Sequence, residues 1–387
     1  MTVTTARTPV RPASGAEAFF ADLAEDMPRT GATSLAITHL LPGQMEFLTA
    51  LDHVAQVSAV LPKPTSVDRR TRDQIAASYR CDPLDRARFA DPGWLATYLK
   101  ERAFGRRLVL ADIGGYFAPA LAEVCAALPG VIAGVVEDTE NGLRRYLELD
   151  ALPCPLYSVA RSPLKEPEDR LVGGAIVFSI ESLLRRLGEV LVGRQACVLG
   201  FGKIGTGIAA ALHARHVTVT VLDTDPVRQA QAISMGYATA SLPEAMRRAD
   251  LVVSATGSRA IGMQQLGLLR DGAILAGATS RDDEFDLADL NDPSAGFARD
   301  ELLPGVSRHN RDGRSFLLLG NGNAVNFLHT SALGPAVHLI KAEIIAAAAL
   351  LADEPHEPGL YEVPAAARGR IAARWIDAFH THRPLTS

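Results

Sequence analysis

The sequence predicts an α/β protein of two domains, each a parallel sheet covered by helices on both faces, arranged around a cleft. Three observations carry that expectation. Short apolar runs at 34–38, 107–111 and 131–136 are each followed by a helix-compatible segment, the alternation that builds parallel strands joined by crossover helices. A second alternation begins at Gln195–Leu199 and continues to about Ala278. A length of 387 residues fits two domains of ordinary size.

The bulk composition narrows the class. Hydrophobic residues make up 48% and charged residues 21%, enough apolar material for two cores. A net charge of −5, from 39 basic and 44 acidic residues, argues against a binder of nucleic-acid backbone. Met1–Pro12 is polar and unlike a signal peptide, and the apolar run Ile344–Ala352 is too short to cross a bilayer. A small-molecule partner and a cytoplasmic setting are expected, with neither nucleic acid nor membrane. Cys81, Cys125, Cys154 and Cys197 are scattered with no CxxC pair, so reduced thiols are expected and neither a metal site nor a disulfide framework is indicated.

The elements follow in order. Residues 1–14 read as a flexible arm. A first domain is expected over 15–172, rejoined by 335–387 through a helix Pro335–Ala352, and a second over 173–334. Arg161–Arg170 reads as a polar connection, and a helix Ile176–Leu191 leads into the strand Gln195–Leu199. Residues 280–315 are charged and read as irregular. Hinges are expected near Gly173-Gly174 and within 327–335.

The clearest motif is Gly200-Phe-Gly-Lys-Ile-Gly205, a GxGxxG between an apolar strand and a helix Lys203–Arg215. Gly200 permits the tight turn, Gly202 lets a pyrophosphate approach the backbone, and Gly205 lets helix and strand pack closely. The anion would rest on the helix N-terminus, where free amides and the dipole favour it. A second strand, Val217–Leu222, ends at Asp223, the place for a carboxylate that binds ribose hydroxyls. With Asp225 nearby, a 2′-phosphate would meet two negative charges, so NAD is expected rather than NADP. The second domain is therefore read as a Rossmann domain, and the first as Rossmann-like.

Four other stretches suggest chemistry. His39 follows the run 34–38, where parallel sheets present ligand-contacting side chains, although a lone histidine is more often structural. Glu137-Asp-Thr-Glu-Asn-Gly142 clusters carboxylates and a hydroxyl at a strand end and equally fits a solvated turn. Lys165 and Asp169 lie four apart, the spacing of an ordinary helical ion pair or of a lysine held near a substrate hydroxyl. Gly320-Asn-Gly-Asn-Ala-Val-Asn326 is a flexible turn able to bring amides to a ligand.

Together and in this order, these segments resemble the S-adenosylhomocysteine hydrolase family, from about Asp26 to Val363 and most strongly between Lys165 and Asp286. The 192–205 segment is similar to the family's AGK…GYGxVG. Asp223-Thr-Asp-Pro226 is similar to its E-x-D-P, Ser254-Ala-Thr-Gly257 to its T-x-T-G, and Glu284-Phe-Asp286 to its E-I-D. Val325-Asn326 is similar to its V-N, and Gly359-Leu-Tyr-Glu-Val-Pro364 to its G-V-Y-x-L-P. The resemblance implies that Gly200, Gly202, Lys203, Ile204, Gly205, Asp223, Thr256, Gly257 and Asn326 bind the cofactor, joined by Thr139, Glu140 and Asn141. It places His39 on a proton-transfer histidine, Lys165 on the catalytic lysine, and Asp169 and Asp138 on carboxylates that grip the sugar. Gln44, Asp112, Arg170, Ser280 and His329 fall on the substrate side.

Several positions depart from the family. Its histidine in N-I-G-H-F-D falls at Ser280, the second aspartate of its D-D-G-G at Ile113, the Asn after the ribose aspartate at Arg170, and its H-P at Gly334-Pro335. The family forms tetramers, so the resemblance implies a homo-oligomer; the family's K-x-x-x-Y tail does not appear here, which leaves tetramer or dimer as the expectation. The activity implied is NAD-assisted elimination at C5′ of an adenosine-type nucleoside, as in a nucleoside 4′,5′-dehydratase. Genuine adenosylhomocysteine hydrolysis, 3′-oxidation-dependent epimerisation and a non-catalytic NAD-binding regulator remain as alternatives.

Overall fold

The computed structural model describes residues 15–287, 290, 295–329, 331 and 333–380; the expected N-terminal arm lies outside them. The described residues of Met1–Lys165 and Pro335–Ser387 form one compact unit, and those of Glu166–Gly334 a second. In chain order the strands are β1 (Thr33–Leu40), β2 (Gln56–Val67), β3 (Leu108–Asp112), β4 (Ile132–Glu137) and β5 (Pro155–Ser158) in the first unit. The second holds β6 (Gln195–Leu199), β7 (Thr218–Leu222), β8 (Leu251–Ser254), β9 (Ala273–Gly277), β10 (Ala298–Leu303), β11 (Val306–Arg311) and β12 (Arg314–Leu319). β13 (Gly359–Tyr361) returns to the first.

The first sheet has the order β13-β5-β4-β3-β1-β2, parallel throughout. Period-2 alternation divides each strand between two cores. In β1, Ala36 and Leu40 face one layer with Phe19, Phe20 and the helix Val337–Asp353. Leu35 and Ile37 face the other, with Phe89, Leu99 and Tyr146. Together with the turn before it, over Gly334–Asp353, that helix is long and apolar enough to cross a membrane by composition, yet residues such as Ile340, Ile345 and Leu351 are buried in the core. The strand order reverses between β1 and β3. A parallel sheet opens a crevice beyond its carboxyl ends at such a point, because crossovers diverge to opposite faces. His39 and Asp112 stand at those two strand ends.

The second sheet runs β10-β11-β12-β9-β8-β6-β7, with its reversal between β6 and β8. Residues 280–315, expected to be irregular, hold β10 and β11 and the start of β12, which pair as an antiparallel ribbon. Charged residues obscured it because β10 is largely exposed on both faces. The readable signal was Asp312-Gly313, with φ of 52° and 75°, the conformation of a two-residue hairpin turn.

The helix expected over 176–191 spans Glu166–Arg186, so the polar connection ends earlier than expected and the units divide ahead of residue 172. Gly173-Gly174, expected as a hinge, lies inside this helix. A Cβ on Gly173 would stand 2.5 Å from the Gly207 carbonyl carbon. The glycine serves close helix–helix approach rather than bending.

Candidate functional site

In the second unit, the carboxyl ends of β6 and β8 form a cradle of backbone. Gly200 adopts φ 89°, and a Cβ there would meet the Ala255 carbonyl oxygen at 2.6 Å, while one on Gly205 would collide with the Gly200 carbonyl. The helix Lys203–His213 starts at Gly202 with no side-chain cap, so its first amides stay open to an anion. Ile204 packs into the core below. Lys203 extends outward and pairs with Asp169 at 3.6 Å.

Asp223 closes the cradle. Its carboxylate accepts the Phe201 amide at 2.6 Å and the Asp225 amide at 2.9 Å, so the acid expected to bind ribose also fixes the glycine turn. Asn326 donates to Ser331 Oγ at 2.7 Å, while its buried Oδ1 has no donor among the described residues. An orphaned carbonyl oxygen and a backbone cradle that a Cβ would fill both fit a bound dinucleotide.

Two residues here escaped the motif reading. Arg228 places NH1 3.7 Å from Asp223 and Nε 3.8 Å from Asp225. That NH1 is also 3.5 Å from where a Gly202 Cβ would sit, so the two acids expected to repel a 2′-phosphate share a cation. Glu284, fully buried, accepts from Ser254 Oγ, the Thr256 amide and hydroxyl, the Gly257 amide and Thr279 Oγ1 at 2.6–3.1 Å. It ties the ends of β8 and β9 into one rigid rim. Glu284 was visible only as a family match; its role needed the fold.

In the first unit, the polar residues gather at the carboxyl edge of the sheet. Lys165 Nζ donates to Asp138 Oδ1 at 3.0 Å, with about a tenth of each side chain exposed. Glu343, on the helix Val337–Asp353, accepts from Ser162 Oγ at 2.5 Å. Ser162 Oγ accepts the Leu164 amide and its carbonyl accepts the Lys165 amide, so the helix anchors the turn that presents the lysine. Burial pushes the Glu343 carboxyl up to about 7.

His39 shares a hydrogen bond with Ser66. Burial, reinforced by Lys63, Lys165 and Lys341, lowers its pKa to about 3. The imidazole is therefore neutral at ordinary pH and offers a hydrogen bond rather than an acidic proton. Gln44 donates to Thr38 Oγ1 at 2.7 Å, supporting the end of β1. Asp112 accepts from the Tyr146 hydroxyl and the Phe117 amide through Oδ2, while its buried Oδ1 has no donor among the described residues.

The remaining candidates have local roles. Thr139 caps the helix Glu140–Leu147 and donates twice to Glu137. Glu140 pairs with Arg161 at 2.6 Å, and Asn141 accepts from Arg144. Arg170 is exposed on its helix, Ser280 donates to Asp283, and His329 lies between the hydroxyls of Ser179 and Ser182, at 3.1 Å from each. Thr256 and Gly257 lie on the rim held by Glu284.

Comparison with known proteins agrees with the cradle. Residues 176–332 match the family model for the NAD binding domain of S-adenosyl-L-homocysteine hydrolase; the second unit is similar to that domain, and NAD is its cofactor. Similar solved structures include a phosphoglycerate oxidoreductase from Vibrio cholerae O395, at 15% identity, covering 80% of this chain and 98% of that one, TM-score 0.41. The pyruvate reductase of Chlamydomonas reinhardtii matches at 14% identity over 83% and 97%, TM-score 0.40. D-Lactate dehydrogenase from Escherichia coli matches at 16% over 66% and 76%, TM-score 0.39. Likenesses this loose say nothing of substrate.

Proposed function

We propose that this NAD-dependent protein acts on an adenosine-type nucleoside by transient oxidation at C3′, removal of the C4′ proton and elimination at C5′. In the simplest case water leaves, and the protein is a nucleoside 4′,5′-dehydratase. The observation that carries this reading is the buried Lys165–Asp138 pair at the carboxyl edge of the first sheet, in a chain whose second unit matches an NAD-binding domain of the adenosylhomocysteine hydrolase type.

NAD, when bound, supplies the hydride acceptor for C3′ and returns the hydride at the end, so no net redox change results. Lys165, carried over from the family resemblance, handles the proton of the 3′-hydroxyl, with Asp138 fixing its ammonium. Asp169 is assigned to the ribose hydroxyls on the same basis. The C3′ ketone makes the C4′ proton acidic enough for a side-chain base, which the unoxidised sugar does not allow. His39, held neutral, steadies the departing hydroxyl with a hydrogen bond, and the proton taken from C4′ is passed on to that oxygen so that water leaves. Gly200, Gly202 and Asp223 hold the dinucleotide.

The test is incubation of the NAD-loaded protein with adenosine-type nucleosides in D2O. Exchange at C4′, a 4′,5′-ene product and transient NADH absorbance are expected, all lost in Lys165→Ala while NAD binding persists. Absence of all three signals in the unaltered protein overturns the proposal. Thiol release from adenosylhomocysteine would instead mark genuine hydrolysis. Ser280 at the position of the family's histidine favours one second reading, a regulator that binds NAD without chemistry; it predicts that Lys165→Ala changes only ligand binding.

A further inference from the structure

The cradle in the second unit holds an arginine that the fold itself does not use. Arg228 stands near the start of the helix Pro226–Ser234, with its side chain half exposed. Its NH1 lies 3.7 Å from Asp223 Oδ2 and its Nε 3.8 Å from Asp225 Oδ2, beyond hydrogen-bond reach. Among the described residues the guanidinium makes these two loose ion pairs and no hydrogen bond. A Cβ on Gly202 would stand 3.5 Å from NH1 and 4.0 Å from Cζ. The cation therefore hangs over the glycine at which a pyrophosphate approaches the backbone.

The two acids beside it are not equivalent. The Asp223 side chain is nearly buried, and its oxygens already accept the Phe201 and Asp225 amides at 2.6 and 2.9 Å. Its backbone carbonyl accepts from Gln229 Nε2 at 2.5 Å, so the residue is held from both ends. Asp225 is half exposed: its Oδ1 caps the helix by accepting the Val227 amide at 2.8 Å, and Oδ2 is left to face Arg228. A spacing of three residues puts acid and arginine on one side of the first helical turn. An arginine near the acid at a strand end is what accommodates the 2′-phosphate in NADP-binding Rossmann domains. Here Asp223, Asp225 and Arg228 together carry one net negative charge, which opposes a further dianion. Without the charge on Asp225 the sum is zero, and a guanidinium with no committed hydrogen bond is able to grip phosphate through two parallel N–H groups.

We propose that Asp225, acting through Arg228, decides between NAD and NADP. Asp225 holds the guanidinium at the helix start, which leaves NAD as the ligand; Arg228 released from it takes the 2′-phosphate of NADP. Asp223 grips the ribose in either case and sets no preference of its own beyond its charge. The assignment concerns the cofactor alone and is independent of the elimination at C5′. Asp225→Asn is the informative change, because asparagine caps a helix about as well as aspartate. It removes the charge and keeps the turn.

Calorimetry on the full chain, freed of cofactor, gives Kd values for NAD and NADP. The unaltered chain is expected to bind NAD at least about tenfold tighter than NADP. In Asp225→Asn that ratio should shrink at least about fivefold, chiefly through tighter NADP, and the gain should fade as salt rises. Arg228→Ala should weaken NADP more than NAD and so widen the ratio. Added to Asp225→Asn, it should erase the gain for NADP. An unchanged ratio in Asp225→Asn overturns the proposal. So does a gain that survives in the double variant, which would mark plain repulsion by the acid with no part for the arginine. NADP binding as tight as NAD in the unaltered chain overturns it too. Asp225→Ser, which caps the helix with a hydroxyl, repeats the test if the asparagine variant fails to fold.

Discussion

Gly173 and Gly174 are neighbours in one helix, yet they meet opposite surroundings. A Cβ on Gly173 would stand 2.5 Å from the Gly207 carbonyl carbon, 2.6 Å from the Ile208 amide nitrogen and 2.8 Å from Gly207 Cα, whereas one on Gly174 meets nothing within 4 Å. Carbon atoms rest at about 3.5–4.0 Å, so Gly173→Ala must drive the helices Glu166–Arg186 and Lys203–His213 apart by about 1 Å. All three obstacles are backbone, with no flexible side chain to yield. Overpacking of this kind costs about 1–3 kcal/mol. Gly174→Ala removes only the glycine penalty in a helix and should add about 0.5–1 kcal/mol. The two variants should therefore differ by at least ~1.5 kcal/mol. Urea unfolding of the full chain, followed by a probe in the second unit, measures the difference. Because the second helix carries the glycine motif at its start, Gly173→Ala should also weaken NAD binding, while Gly174→Ala should not. Equal stability of the two variants would refute the close-packing argument, and loss of activity in both with intact stability would restore the hinge.

Other outcomes follow from the same site. Glu284→Ala removes the acceptor shared by Ser254, Thr256, Gly257 and Thr279, and a loss of ~1–3 kcal/mol should raise the Kd for NAD at least about fivefold, with Glu284→Gln recovering part; an unchanged Kd by calorimetry counts against it. Arg228 has a half-exposed side chain, so Arg228→Ala should raise that Kd only about two- to fivefold, from ~0.5–1 kcal/mol, and more at low salt. His39, lowered from 6.5 to about 3, lets the unfolded chain take its proton first. It contributes stability above pH 6.5 that is lost as pH falls toward 3. His39→Gln should flatten that acid slope in urea titrations at stepped pH, and an unaltered slope would show that the histidine is not responsible. Glu343, raised from 4.5 to about 7, works in the other direction: its contribution is complete below pH 4.5 and is lost as pH rises through 7. Glu343→Gln should therefore narrow the stability difference between pH 5 and pH 8 relative to the unaltered chain.

The sheet-building runs and the glycine motif were legible because they are local. Apolar strands flanked by turn residues fold alike in any parallel sheet, and the sheet-flanking Gly200 and Gly205 mark places where the backbone admits no Cβ. The ribbon β10-β11-β12 was missed because edge strands need not be apolar, and its exposed charges resemble a loop. The helix at Glu166 was placed late because its first turns are acidic and proline-containing, with little apolar period to mark them.

Residue types and their order along the chain were enough to name the cofactor class and to gather His39, Asp138, Lys165 and Asp169 as candidates. Charge state and pairing were not legible there. Whether Lys165 meets Asp138, whether His39 is neutral, and whether burial beside Asp112 raises the Glu137 carboxyl depend on distances of a few ångströms between strands far apart in sequence. Electrostatic energy falls with separation and rises with burial, and both quantities exist only once the chain has folded.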